Sequence, residues 1–111
     1  MWKDDPREHP DVANSYQGLG NVYYSKGDYT KAFEYYEKCL AIRLKTLGEE
    51  HPDVAISYNN IGIVYKAKGD YTKAIEYYEK ALAIYLKTLG GEHPVVAYSY
   101  NNLGAVYKDK V

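Results

Sequence analysis

The sequence predicts an all-α array of stacked helical hairpins, five helices in about two and a half units. Three observations lead there. The stretch His51 to Glu92 repeats His9 to Glu50 at a fixed 42-residue offset with only 11 places changed, and His93 to Lys110 begins the same text a third time. A period of this size marks stacked units, each covering its neighbour's apolar face, rather than one closed globule. Within each unit the apolar residues recur at helical spacing, and Gly-Asp and Leu-Gly pairs break that spacing at matching places.

Residues 1–8 align at the repeat offset with Arg43 to Glu50, which puts Trp2 where Leu44 stands. They are expected to be the remnant, or the cap, of a preceding helix. Residues 9–50 form the first unit and open on His9-Pro10-Asp11. Proline suits a first helical turn, where its missing N–H is not needed, and an acid there complements the positive helix end. Residues 51–92 form the second unit, in which Val54, Tyr58, Ile61, Gly62 and Tyr65 share one helix face. Gly62 on that face lets a partner helix come close, at a cost of about 1 kcal/mol in helix propensity relative to Ala; Gly20 and Gly104 repeat the arrangement.

The Gly69-Asp70 pair, like Gly27-Asp28, ends one helix and caps the next. So short a turn makes the two helices antiparallel neighbours. The second helix carries Ala74, Tyr78, Ala81, Leu82, Tyr85 and Leu89 on one face and ends near Thr88, before Gly90-Gly91. Residues 93–111 supply only the first helix of a third unit. Tyr100, Leu103 and Tyr107 are therefore expected to be partly uncovered, and with Trp2 they are the candidates for self-association.

Composition narrows the function classes. The formal charge is −1 with Lys and Glu interleaved, so no basic stripe is available to follow a phosphate backbone, and nucleic acid is not an expected partner. No run approaches the roughly 20 apolar residues of a membrane-spanning helix, so no membrane association is expected. The single Cys39 excludes an internal disulfide and a cysteine-built zinc site and fits a reducing, cytoplasmic setting.

The pattern Tyr58…Ile61-Gly62…Tyr65…Gly69-Asp70-Tyr71…Ala74…Tyr78…Ala81 resembles the tetratricopeptide repeat, with Tyr16, Leu19, Gly20, Tyr23, Gly27, Ala32, Tyr36 and Cys39 as its first copy. The usual repeat is about 34 residues; the longer period here and the phrase ALAI-x-LKTLG-x-EHP resemble kinesin light chains and related arrays. Leu44 and Leu86 stand where the usual closing proline would be. The resemblance implies a right-handed superhelix whose concave groove, lined by the first helix of each unit, takes an extended peptide.

Carried over by alignment, the groove places are Asn14, Gln17, Gly18, Asn21, Tyr24 and Ser25, then Ile56, Asn59, Asn60, Ile63, Lys66 and Ala67. In the third unit they are Tyr98, Asn101, Asn102, Ala105, Lys108 and Asp109. All six differ between the two full copies, whereas packing positions largely repeat. The pairs Asn59-Asn60 and Asn101-Asn102 recur one unit apart, and a primary amide can both donate to and accept from a peptide backbone. The expected function is thus a protein-interaction scaffold in which the amides hold ligand backbone while Tyr24, Ile56, Ile63 and Tyr98 supply apolar contacts. The competing expectation is a structural module that oligomerises through its uncapped terminal helices. A carboxylate-clamp mode is disfavoured, because Gln17, Tyr98 and Asn102 stand where its basic residues would be.

No catalytic constellation, cofactor motif or metal site is expected. His9, His51 and His93 are spaced by whole units, too far apart to converge on one ion, and are assigned to helix starts. Cys39 aligns with Ala81 on a packing face and is expected to be a buried, inert thiol. Tyr35-Tyr36 and Tyr77-Tyr78 are expected to be half-buried, with hydroxyls at the surface.

Overall fold

The computed structural model describes residues 5–110. They form five α-helices: α1 (Pro10–Ser25), α2 (Tyr29–Leu47), α3 (Pro52–Ala67), α4 (Tyr71–Leu89) and α5 (Pro94–Lys110). Pro6–Glu8 make a single 3-10 turn before α1, capped by the Asp5 carboxylate on the Arg7 N–H. Of residues 1–8, expected to be the remnant or cap of a preceding helix, 1–4 with Trp2 lie outside the described residues, and 5–8 form this single turn.

Each first helix starts on histidine. Nδ1 of His9, His51 and His93 accepts the backbone N–H of Asp11, Asp53 and Val95 at 3.0 to 3.1 Å. Imidazole thus stands in for the usual Ser, Thr, Asp or Asn cap, with its proton on Nε2. The turns between paired helices follow from their glycines. At Gly69, with φ of 83°, the chain enters the left-handed region that a side chain disfavours. That geometry lets the Asp70 N–H donate to Tyr65 O at 2.9 Å and the Gly69 N–H to Lys66 O at 3.0 Å, which satisfies carbonyls at the helix end. Asp70 Oδ1 then accepts the Lys73 N–H to cap α4.

The helices pack chiefly against their neighbours in the chain, giving a slab of 47 × 34 × 19 Å. Helix α3 is covered on two sides, with Ala55 and Gly62 buried together with Val54, Ile61 and Val64. Tyr36 lies over Gly20, and Tyr78 over Gly62; a Cβ at either glycine would fall 2.5 or 2.7 Å from the ring. Those two tyrosines are buried in the core, whereas Tyr35 and Tyr77 match the expected half-buried state. The difference arises because only Tyr36 and Tyr78 face a glycine, whose missing side chain leaves room for a ring. Burial pushes the Tyr36 phenol up to about 12.

Leu103 and Leu89 also depart from expectation. Leu103 is buried in the core because it stands where Ile61 stands, on the side of its helix facing the preceding hairpin. Leu89 is exposed at the last turn of α4. Tyr100 and Tyr107 are exposed, as expected of a helix with one face uncovered.

Candidate functional site

The groove places fall on α1, α3 and α5, and the two full units treat them in opposite ways. In the first unit the groove amides are held by this chain's own side chains. Arg43 of α2 is buried, and its Nη1 donates to Gln17 Oε1 at 2.8 Å, Ser57 Oγ at 3.0 Å and Asp53 O at 3.1 Å. Its Nη2 donates to Asn14 Oδ1 at 3.0 Å. One guanidinium therefore ties α1 to α3, and its fork of donors suits that task better than a lysine's point charge. Asn21 Oδ1 accepts the Tyr36 hydroxyl. Tyr24 packs against Tyr29, ring centroids 5.4 Å apart.

In the second unit Tyr85 occupies the place of Arg43 and Ala81 that of Cys39. Tyr85 is buried, and burial raises its phenol pKa. It brings none of the donors that Arg43 brings. Asn59, only 8% exposed, is left with its Oδ1 buried and unpartnered, and Ser99 Oγ, the counterpart of Ser57 Oγ, is left in the same condition. An unpaired buried acceptor costs about 1–3 kcal/mol.

Around Asn59 the surface is concave. Ile56, Asn60 and Ile63 of α3, Tyr85 of α4, and Val95 and Tyr98 of α5 line a depression of about 340 Å³ with it. Tyr98 forms a wall and remains 56% exposed. At one end Lys66 meets Asp109 at 3.7 Å, bridging α3 and α5. Asn101 is exposed and lies outside this depression, and Asn102 has its Nδ2 buried without a partner. The four asparagines thus do not form a uniform row.

Arg43 and Val95 went unassigned in the sequence, and Tyr85 was assigned only to a packing face of its helix. A signal was present for Arg43 and Tyr85: positions 43 and 85 differ between the copies together with Asn14/Ile56 and Gln17/Asn59, and these are the side chains that Arg43 bonds. Cys39 is buried and free, as expected. Its thiol pKa is raised, chiefly by burial, although Arg43 nearby pulls it the other way.

The model of the tetratricopeptide repeat family matches residues 11–87 and again 53–110. This chain belongs to the tetratricopeptide repeat family. Among solved structures, BtubC (BKLC) from P. vanneervenii superposes with a TM-score of 0.83 at 33% identity, over 91% of this chain and 40% of that one. A putative kinesin light chain of nearly identical TPR-like repeats from Podospora anserina gives 0.79 at 35% identity, over 91% of this chain and 48% of that one. The chain spans less than half the length of either. No curated protein matches it significantly. The right-handed, all-α solenoid implied by the sequence is the observed fold, and membership in this repeat family points to a protein–protein interaction scaffold. Among the described residues, no helix is long and apolar enough to cross a membrane.

Proposed function

We propose that the chain binds an extended segment of a partner protein along α1, α3 and α5, by recognition rather than catalysis and in the cytoplasm. The observation that carries this reading is Asn59: a buried carbonyl oxygen without a donor, on the wall of an apolar depression open to solvent. A peptide N–H is the donor that would complete it, and an apolar side chain beside that N–H would fill the space between Ile56, Ile63 and Tyr98. Asn60, Asn101 and Asn102 extend the polar contacts along the ligand backbone. The first unit contributes less, because Asn14, Gln17 and Asn21 already have partners within the chain.

Selection of displayed random peptides against the folded chain tests the reading, with Asn59→Leu as counter-selection. Peptides enriched on the native chain should bind Asn59→Leu at least tenfold more weakly and be weakened further by Asn101→Ala with Asn102→Ala. Undiminished binding by Asn59→Leu would remove the groove from consideration.

A further inference from the structure

The second unit keeps the acceptors of a buried arginine but not the arginine. In the first unit Arg43 Nη1 donates to Gln17 Oε1 at 2.8 Å and to Ser57 Oγ at 3.0 Å, and the guanidinium as a whole is bonded to amide, hydroxyl and backbone oxygens. One unit on, Asn59 stands in the place of Gln17 and Ser99 in the place of Ser57. Asn59 Oδ1 and Ser99 Oγ are buried and have no donor. Tyr85 fills the interior course that Arg43 takes in the first unit, and the open approach to Asn59 is from the groove, through the depression that Asn59, Ile56, Ile63, Tyr85 and Tyr98 line. Ile56 and Ile63 make that approach apolar, the exposed Tyr98 ring flanks it, and Lys66 at its end is engaged by Asp109. The Tyr85 phenol pKa is raised by burial and then by the Asp53 carboxylate, so a negative charge acts on this place.

We infer that the depression receives an arginine side chain of the bound segment, with the guanidinium donating to Asn59 Oδ1 and the methylene stem lying against Ile56 and Ile63. The inference rests on the groove reading above and adds the side chain that the groove selects. An amide oxygen accepts two hydrogen bonds, so Asn59 can take a peptide N–H and a guanidinium N–H together. The stem of an arginine is apolar enough to serve as the side chain beside that N–H, and a planar guanidinium can lie on the Tyr98 ring. Lysine meets these demands less well, because its ammonium is compact, strongly hydrated and without a planar fork. The first unit shows that this fold holds a guanidinium on neutral oxygens, and it has no vacancy for a second one, since Arg43 already occupies Gln17 and Asn14. Recognition of arginine is therefore confined to the second unit.

The probes are labelled synthetic copies of the peptides selected on the folded chain, with arginine replaced in turn by lysine and by norleucine, titrated with the whole chain and followed by fluorescence anisotropy. Peptides whose binding requires Asn59 should share one arginine, and either replacement should weaken binding about tenfold or more, the loss expected for a charge-assisted hydrogen bond. In the chain, Tyr85→Arg copies the first unit and supplies the guanidinium from within, so arginine and norleucine peptides should then bind it equally. Circular dichroism shows whether that variant is folded; if it is not, the peptide series decides without it. Asn59-dependent peptides that share no arginine, or that tolerate lysine or norleucine, would overturn the inference and leave the groove reading standing. So would a folded Tyr85→Arg chain that still favours the arginine peptides. If no selected peptide depends on Asn59, the groove reading falls and this inference falls with it.

Discussion

Arg43 Nη1 lies 2.8 Å from Gln17 Oε1, and the residue one unit further on, Tyr85, offers Asn59 no such donor. Near-identical hairpins thus carry a closed groove segment and an open one. Three of the 11 differences between the copies change together to make this contrast: Asn14 and Gln17 with Arg43 become Ile56 and Asn59 with Tyr85.

That coupling is measurable. Arg43→Tyr alone should lower unfolding free energy by about 1–3 kcal/mol, since it strands the buried Ser57 hydroxyl and removes the ties to the half-buried Gln17 and the exposed Asn14. Adding Asn14→Ile and Gln17→Asn, which copies the second unit, should restore at least about half of the loss. Urea denaturation of the single, double and triple variants reads the interaction energy directly; additive effects would show that the three positions act independently.

Asn59 predicts a conflict between stability and binding. Asn59→Leu removes a buried amide oxygen without a partner and should stabilise the chain by about 1 kcal/mol, while weakening the peptides selected on the native groove. Thermal unfolding beside a binding titration checks both halves. A variant that loses stability would mean that the amide has a structural role in the unliganded chain.

The glycines on the shared helix face separate covered from uncovered positions. Gly62→Ala places a Cβ about where the Tyr78 ring lies, and Tyr78 is buried and hemmed in, so a loss of about 1–3 kcal/mol is expected. Gly104→Ala meets no obstruction and should gain about 0.5–1 kcal/mol from helix propensity. Denaturation midpoints of opposite sign are the expected result.

The histidine caps can be tested by replacement in kind. His51→Ala should cost about 1 kcal/mol, whereas His51→Asn, whose side-chain oxygen can accept the same Asp53 N–H, should cost little. Equal losses would assign His51 a packing role instead.

Alkali should act through the buried phenols. Burial holds the Tyr36 proton until about pH 12, above the usual pKa of about 10. The folded chain therefore binds more protons than the unfolded one in that window. The resulting stability is fully present below about pH 10 and is lost as pH rises towards 12. In an absorbance titration at constant temperature, Tyr36 and Tyr78 should ionise last and together with loss of helicity; early, non-cooperative ionisation of all tyrosines would contradict their burial.

The helices, their order and their turns could be read from residue order because each rests on a local cause. Proline opens a helix at Pro10, Pro52 and Pro94, a left-handed glycine closes one at Gly27 and Gly69, and apolar residues recur at the helical period between them. Repetition supplied the stacking, since a face that recurs must be covered by its neighbour wherever a neighbour exists. Which groove side chains stand free was settled only in three dimensions. Gln17 and Arg43, like Asn21 and Tyr36, lie far apart in sequence and meet across helices, so aligned positions that look equivalent differ in whether their hydrogen bonds are already made. Leu103 and Tyr107 make the same point: both are apolar residues of α5, but one faces the covering hairpin and the other a face without one.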